Sequence, residues 1–252
     1  MSLPRHKVYG LIGYPLTHSF SMNYFNNMFE AEKIDAEYVN FEIPEIGNLM
    51  EVVAENPNLA GLNVTIPYKE QVIPYMNEMD DEAALIGAVN VIKLIRGNDG
   101  SIKLKGFNSD VMGFQNSIAP LLNSKRTRAL ILGTGGASKA INRGLLNLGV
   151  EPTFVSREAR EGVITYADLT PEVMDAHKVI VNCTPLGMYP HVEQCPDIPY
   201  NLLSVDHLCY DLIYNPDMTA FMKKSRAYGA EVKNGLEMLL LQAFESWNIW
   251  NR

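Results

Sequence analysis

The tightest constraint on this chain comes from Arg128-Ala-Leu-Ile-Leu-Gly133-Thr134-Gly135-Gly136-Ala137-Ser138. Ala129 to Leu132 is a short apolar run of the kind that forms a parallel strand buried on both faces. Three glycines within four residues stop it. The chain then enters 137–148, where Ala140, Ile141, Gly144, Leu145 and Leu148 recur at helical spacing. Strand, glycine turn and helix in that order bring a pyrophosphate against backbone N–H groups at a helix N-terminus. The spelling G-x-G-G-A-S differs from G-x-G-x-x-G, so the argument rests on the context rather than on the string. A glycine-rich turn without a ligand is the competing reading.

Composition narrows the class. The chain has 252 residues, 47% of them hydrophobic and 20% charged, enough for one large folded domain or two modest ones. A net charge of −8 argues against nonspecific nucleic-acid binding and says nothing about a small anionic substrate. Cys183, Cys195 and Cys209 form neither a C-x-x-C pair nor a disulfide framework, and no metal-ligand spacing is present. No apolar run reaches about 18 residues, so no membrane partner is expected. The expected compartment is the cytoplasm.

Strands and helices alternate on both sides of the glycine turn. Strands are predicted at 8–12, 36–43, 61–66, 87–95 and 102–106, and helices from about 19 and over 44–55, 80–86 and 111–122. Asn98-Asp99-Gly100 marks a hairpin. Beyond the glycines, strands are predicted at 152–155, 163–166, 178–182 and 207–213, and helices at 217–228 and 235–250. The polar stretch 123–127 reads as a hinge. The fold class is therefore α/β. Ser19 and Ser21 stand at the start of a helix, where serine is most often an N-cap. The same hydroxyls at a positive helix end also suit a carboxylate, and both roles are compatible. Lys69, after a proline, is a surface charge on the residues alone.

Seven stretches, in order, resemble the shikimate dehydrogenase family nearly end to end. They are 13–21 (G-Y-P-L-T-H-S-F-S), 63–69 (N-V-T-I-P-Y-K), 87–90 with 108–110 (G-A-V-N and N-S-D), 133–138, 182–188 (N-C-T-P-L-G-M), 210–216 (Y-D-L-I-Y-N-P) and 234–243 (N-G-L-E-M-L-L-L-Q-A). The resemblance implies a substrate domain over 1–105, completed by the returning helix 235–252, and a Rossmann-like NADP domain over 106–234. The active site would lie in the cleft. The implied reaction is reversible NADPH-dependent reduction of 3-dehydroshikimate to shikimate, a step of chorismate and aromatic amino acid biosynthesis.

The resemblance also assigns roles. Lys69 and Asp110 are the implied catalytic pair. Ser19 and Ser21 would donate to the substrate carboxylate, and Asn63, Thr65, Asn90, Asp110, Tyr214 and Gln242 would meet the ring. Its hydroxyls need partners that donate and accept, which fits these residue types. The cofactor would take Gly133, Thr134, Gly135, Gly136, Ala137 and Ser138, then Ser156, Arg157 and Arg160, and later Thr184, Gly187, Met188, Gly235 and Met238. The partner is a small molecule, and the chain is a monomer or homodimer.

This chain departs from the family pattern in places. Met22 stands where proline is usual, Phe25 for histidine, Val91 for threonine, and Val111 for the glycine common after the aspartate. The largest departure follows Val155. Only 156–162 separates it from the next apolar run, too few for the helix the family places beside the adenosine pocket. Ser156-Arg157 lies about 20 positions beyond the glycines, where an NAD site carries an acidic residue. Arg157 favours a 2′-phosphate, and Glu158 opposes one. An NAD-accepting quinate/shikimate dehydrogenase and an inactive nucleotide-binding regulatory module are the alternatives.

Overall fold

The computed structural model describes residues 6–16 and 20–252. The chain divides into two compact units, one of residues 1–109 and 243–252, the other of residues 110–242.

The first unit contains β1 (Lys7–Gly13), α1 (Phe20–Glu32), β2 (Ala36–Glu42), α2 (Leu49–Glu55), β3 (Leu59–Val64), β4 (Glu78–Met79), α3 (Asp81–Ile86), β5 (Val91–Arg96) and β6 (Ile102–Phe107). Its six-stranded sheet has the order β2-β1-β3-β5-β6-β4. β1 runs parallel to both β2 and β3, while β3–β5 and β5–β6 are antiparallel. The Asn98-Asp99-Gly100 turn closes β5 onto β6 as the sequence predicts. Side-chain alternation sends Ile12, Leu62, Val64 and Ile92 into one core with Leu49, Val52 and Val53 of α2. The opposite face packs Tyr9, Leu11 and Tyr38 against Phe25 and Phe29 of α1.

The second unit contains α4 (Asp110–Ile118), β7 (Arg128–Leu132), α5 (Gly136–Asn147), β8 (Glu151–Ser156), β9 (Val163–Thr165), α6 (Pro171–Ala176), β10 (Val179–Asn182), β11 (Leu208–Asp211), α7 (Ala220–Ala227) and β12 (Glu231–Lys233). The last helix, α8 (Leu236–Asn251), is divided between the units at Gln242/Ala243. Its final turns join the first unit, where the Trp250 indole donates to the Ile92 carbonyl. The strand order is β12-β11-β10-β7-β8-β9, every pair parallel. In chain order this is the doubly wound arrangement, with its switch point between β7 and β10. Ile131, Val179, Val181 and Leu208 meet Ile141 and Leu145 of α5 on one face. Leu130, Leu132 and Ile180 meet Met174 of α6 and Phe221 and Met222 of α7 on the other.

Several elements differ from the sequence expectation. The helix expected over 44–55 is a 3-10 turn at Ile46–Asn48 followed by α2. The strand expected from Gly87 begins at Val91, because 88–90 is a loop whose N–H groups at Val89 and Asn90 donate to the Lys69 and Phe107 carbonyls. The stretch 123–127 lies inside the second unit, held there by buried Arg126, which pairs with Glu231 at 2.7 Å. No helix joins β8 to β9. The chain turns back through 160–163, where the Val163 N–H donates to the Arg160 carbonyl at 2.9 Å. The return is short because β9 is a three-residue strand at the sheet edge.

Candidate active site

In the first unit the motif stretches converge. Asn63, the penultimate residue of β3, is buried, and its amide is bonded within the protein at both ends. Its Nδ2 donates to the Asn90 carbonyl at 3.3 Å and to Ser246 Oγ at 2.9 Å, and its Oδ1 accepts the Tyr38 phenol proton at 2.8 Å. Asn90 Oδ1 accepts from the Ser109 N–H at 2.7 Å, and Asn90 Nδ2 donates to Ser109 Oγ at 3.0 Å. Ser109 and Ser246 hydroxyls lie 3.2 Å apart. Burial raises the Tyr38 phenol's pKa far above the usual range, against a smaller lowering effect of Ser21 at the start of α1. Ser19 lies outside the described residues.

Backbone bonds draw Lys69 and Thr65 to the same place. The Val89 N–H donates to the Lys69 carbonyl at 2.7 Å, which ties the lysine to the 87–90 loop. Thr65 N–H donates to the Ile12 carbonyl at 2.9 Å, and the Tyr68 N–H returns to the Thr65 carbonyl at 2.9 Å. The buried Tyr68 phenol donates to the Ile43 carbonyl at 2.6 Å and anchors the turn that carries Lys69. Lys69 and Thr65 are half-buried. A half-buried lysine whose backbone sits on an anchored turn is better placed to act as a fixed donor than a fully exposed one.

Asp110 and Gln242 belong to the second unit. α4 crosses α8 at Gly113, where an added Cβ would stand 2.8 Å from the Met238 carbonyl oxygen and 3.0 Å from the Gln242 nitrogen. Only glycine permits that approach, and it brings Asp110, one turn earlier, and Gln242 to the same crossing. Gln242 Nε2 donates to the Leu239 carbonyl at 2.9 Å. Tyr214 follows β11, half-buried, with its pKa raised by burial.

The glycine turn lies where the sheet order reverses. Gly133 has φ +101°, a conformation that favours glycine, and a Cβ there would press on Thr184 and Cys183 at 3.2–3.3 Å. Gly135 is the cap of α5, and a Cβ on it would meet nothing within 4 Å. An open cradle at a helix N-terminus fits a pyrophosphate, with the Ser138 N–H already given to the Gly135 carbonyl at 2.9 Å. Ser138 Oγ donates to the Gly135 carbonyl at 2.6 Å and fixes the turn. Gly136, Ala137 and Thr134 complete it, half-buried.

Across the switch point, Thr184 is held by Asn182, whose Oδ1 accepts from the Thr184 N–H at 3.0 Å and its hydroxyl at 2.7 Å. Asn182 in turn donates to Asp211 Oδ1 at 3.0 Å. Asp211, fully buried, also accepts from the Ile213 N–H and from Thr219 Oγ1, at 3.1 and 2.7 Å. Burial outweighs those three bonds and lifts its carboxyl to about 6. Gly187 and exposed Met188 follow on the same loop. An added Cβ at Gly235 would strike the Leu212 carbonyl oxygen. Met238 is buried. Arg157 and Arg160 are exposed on the short 157–162 turn, and Ser156 ends β8.

Tyr38, Ser246, Asn182 and Asp211 were not among the sequence candidates. Asn182 and Asp211 lie inside the 182–188 and 210–216 stretches that carry the family resemblance, which assigned neither of them a role. Nothing local to Tyr38 or Ser246 marks them. Among the described residues, no group of three or more His, Cys, Asp or Glu gathers as a metal site, and no helix is long and apolar enough to cross a membrane.

A doubly wound sheet with an open glycine turn, together with a second α/β unit that holds a convergent polar cluster, defines a dinucleotide-binding α/β protein of two units. Residues 11–92 match the family described as the shikimate dehydrogenase substrate binding domain. A shikimate dehydrogenase (NADP(+)) of Methanosphaera stadtmanae is 36% identical over 96% of this chain and 90% of its own. The crystal structure of shikimate dehydrogenase from Aquifex aeolicus superposes with a TM-score of 0.85 at 33% identity, covering 100% of this chain and 94% of that one. A shikimate dehydrogenase solved in complex with NADP+ gives 0.84 at 31% identity, covering 97% and 89%. The chain belongs to the shikimate dehydrogenase family.

Proposed function

We infer that this chain is an NADP-dependent shikimate dehydrogenase, an oxidoreductase that reversibly reduces 3-dehydroshikimate to shikimate. The observation that carries this reading is the convergence of four separated stretches, at 63–69, 87–90, 108–109 and α8, on one hydrogen-bonded cluster. That cluster lies in the unit matched by the substrate-binding family, and the other unit offers the open turn a dinucleotide needs. When bound, NADPH supplies the hydride.

The chain's own residues supply recognition and proton handling. Ser21, with Ser19, donates to the substrate carboxylate. Asn63, Thr65, Asn90, Asp110, Tyr214 and Gln242 meet the ring hydroxyls, and Asn63 also orients the Asn90 segment. Lys69 presents a positive charge and a proton to the carbonyl oxygen as it becomes an alkoxide, stabilisation that belongs to the transition state. Asp110 is its catalytic partner. Gly133 to Ser138 take the pyrophosphate, Ser156, Arg157 and Arg160 the 2′-phosphate, and Thr184, Gly187, Met188, Gly235 and Met238 the nicotinamide side. The three cysteines, all unpaired, fit a cytoplasmic enzyme.

The test is optical. Formation of the reduced nicotinamide, NADPH or NADH, is followed with shikimate and with quinate, each offered NADP+ and NAD+. Turnover of shikimate with NADP+ supports the reading. Preference for quinate with NAD+ replaces it with the close alternative, and no turnover under any combination leaves the regulatory module.

A further inference from the structure

The last turns of α8 dock on β3 through two contacts. An added Cβ at Gly61 would strike the Trp250 indole, so glycine is what lets the helix settle there. Trp250 is fixed in turn by its bond to the Ile92 carbonyl at 3.1 Å. Asn63 lies two residues beyond Gly61 on the same face of β3, and Ser246 lies one turn before Trp250 on the same face of α8. The second contact follows from the first: Asn63 Nδ2 donates to Ser246 Oγ at 2.9 Å. Ser246 is fully buried, and its Oγ lies 3.2 Å from Ser109 Oγ.

The bonds of the two asparagines give this hydroxyl its importance. The Asn90 carbonyl can only accept, so it faces the Asn63 NH2, at 3.3 Å. Ser246 takes the other Nδ2 proton at the shorter distance, and Oδ1 accepts from the Tyr38 phenol. Both Asn63 protons are thereby spent inside the protein, which leaves this amide only acceptor capacity for a ligand. Asn90 is set by Ser109, whose N–H can only donate and so faces Oδ1, at 2.7 Å, while Asn90 Nδ2 donates to Ser109 Oγ at 3.0 Å. Ser246 therefore touches both halves of the cluster, the Asn63 amide directly and the Asn90 amide through Ser109. We propose that Ser246 is a positioning residue for recognition of the substrate ring, holding the Asn63 and Asn90 amides in register. The proposal rests on the reading of those asparagines as ring ligands. Without the hydroxyl, a buried Asn63 proton loses its acceptor. A buried proton is costly to leave unpaired, so the amide turns to find a partner and leaves the direction the ring requires.

The experiment compares Ser246→Ala, Asn63→Ala and the double variant with the wild type, with shikimate and NADP+ varied separately and Tm measured for each. Alanine is the best helix former, so α8 itself is kept. Ser246→Ala should raise the shikimate KM by roughly threefold to tenfold, the effect of one buried hydrogen bond, while the NADP+ KM stays unchanged. In the Asn63→Ala background the same substitution should change the shikimate KM by about twofold or less, the part that still reaches Asn90 through Ser109. A merely structural serine gives a lower Tm and no change in shikimate KM, or an equal change in both backgrounds, and either outcome overturns the proposal. A matching rise in the NADP+ KM does so too. Wild-type protein that fails to oxidise shikimate overturns the functional reading beneath it, a different result from an unmoved KM. Should Asn63→Ala not fold, Asn63→Leu keeps the volume without the amide, and the same outcomes decide.

Discussion

The two units solve the problem of buried polar groups in opposite ways. In the first, the cluster of Tyr38, Asn63, Asn90, Ser109 and Ser246 is built wholly from neutral amides and hydroxyls. In the second, the carboxyl ends of β10 and β11 are tied together by a buried acid, Asp211, on Asn182, Thr219 and the Ile213 N–H. Neutral groups can be sealed away at little desolvation cost once each is paired, whereas a carboxylate resists burial even with three donors. The contrast shows what each ligand asks of its scaffold. On the proposed function a polyhydroxylated substrate would be met by groups that both donate and accept, their directions fixed in advance. A pyrophosphate is met by backbone N–H groups, so the second unit needs its side chains chiefly to hold loops still.

The sharpest way to break the contrast is to remove the fixed cation of the first unit. Lys69→Met keeps most of the stem's volume and removes the donor. Turnover should fall roughly 10²–10⁴-fold with a much smaller change in shikimate KM. Asp110→Asn should act similarly and less than additively with it. A Lys69→Met protein turning over within about threefold of wild type would reduce Lys69 to a surface charge.

Next in size is the acid of the second unit. The folded-state pKa of Asp211 is raised, so between its ordinary value and about 6 the folded chain keeps a proton that the unfolded chain has lost. Its contribution to stability therefore falls as pH rises from about 4 to 6 and is flat above. At pH 7 the cost is roughly 3 kcal/mol, each pKa unit being about 1.4 kcal/mol. Asp211→Asn, whose Oδ1 can still accept from Asn182 and Ile213, should stabilise the protein at pH 7 by up to that amount. The gain should vanish near pH 4, as read by denaturant unfolding at both values. An equal gain at pH 4 and 7 would mean that burial of the charge is not the cause. The neutral cluster of the first unit predicts no such dependence, so Ser246→Ala should change stability by the same amount at both pH values.

Smaller effects test recognition. Quinate carries an additional hydroxyl at the carboxylate-bearing carbon, which on the proposed reading Ser19 and Ser21 would crowd. Shikimate should be preferred at least about tenfold in kcat/KM, or ~1.4 kcal/mol. Equal values would show that the serine end does not discriminate. The smallest effect is expected at Arg157, because it is exposed on the turn that replaces a crossover helix. Screening limits an exposed charge pair to about 1 kcal/mol, so Arg157→Ala should reduce the NADP/NAD preference about fivefold. An unchanged ratio would move the 2′-phosphate contact elsewhere.

Much of this architecture is legible in the residues themselves. Period-two and buried apolar runs mark the long strands, Asn98-Asp99-Gly100 marks the hairpin, and the shortage of residues after Val155 signals the missing crossover helix. β4, β12 and α6 escape such a reading. β4 has two residues and β12 three at sheet edges, and the six of α6 include Glu172 and Asp175, so none offers an apolar run that stands out. The residues alone also set the order of the α/β elements and the chemistry present at each strand end, because backbone preference and apolar spacing are local. Which polar groups meet is a matter of tertiary packing. Asn63 and Ser246 are 183 residues apart in the chain and 2.9 Å apart in space. Hydrogen bonds of this kind are fixed by contact between distant segments, and no local pattern encodes them.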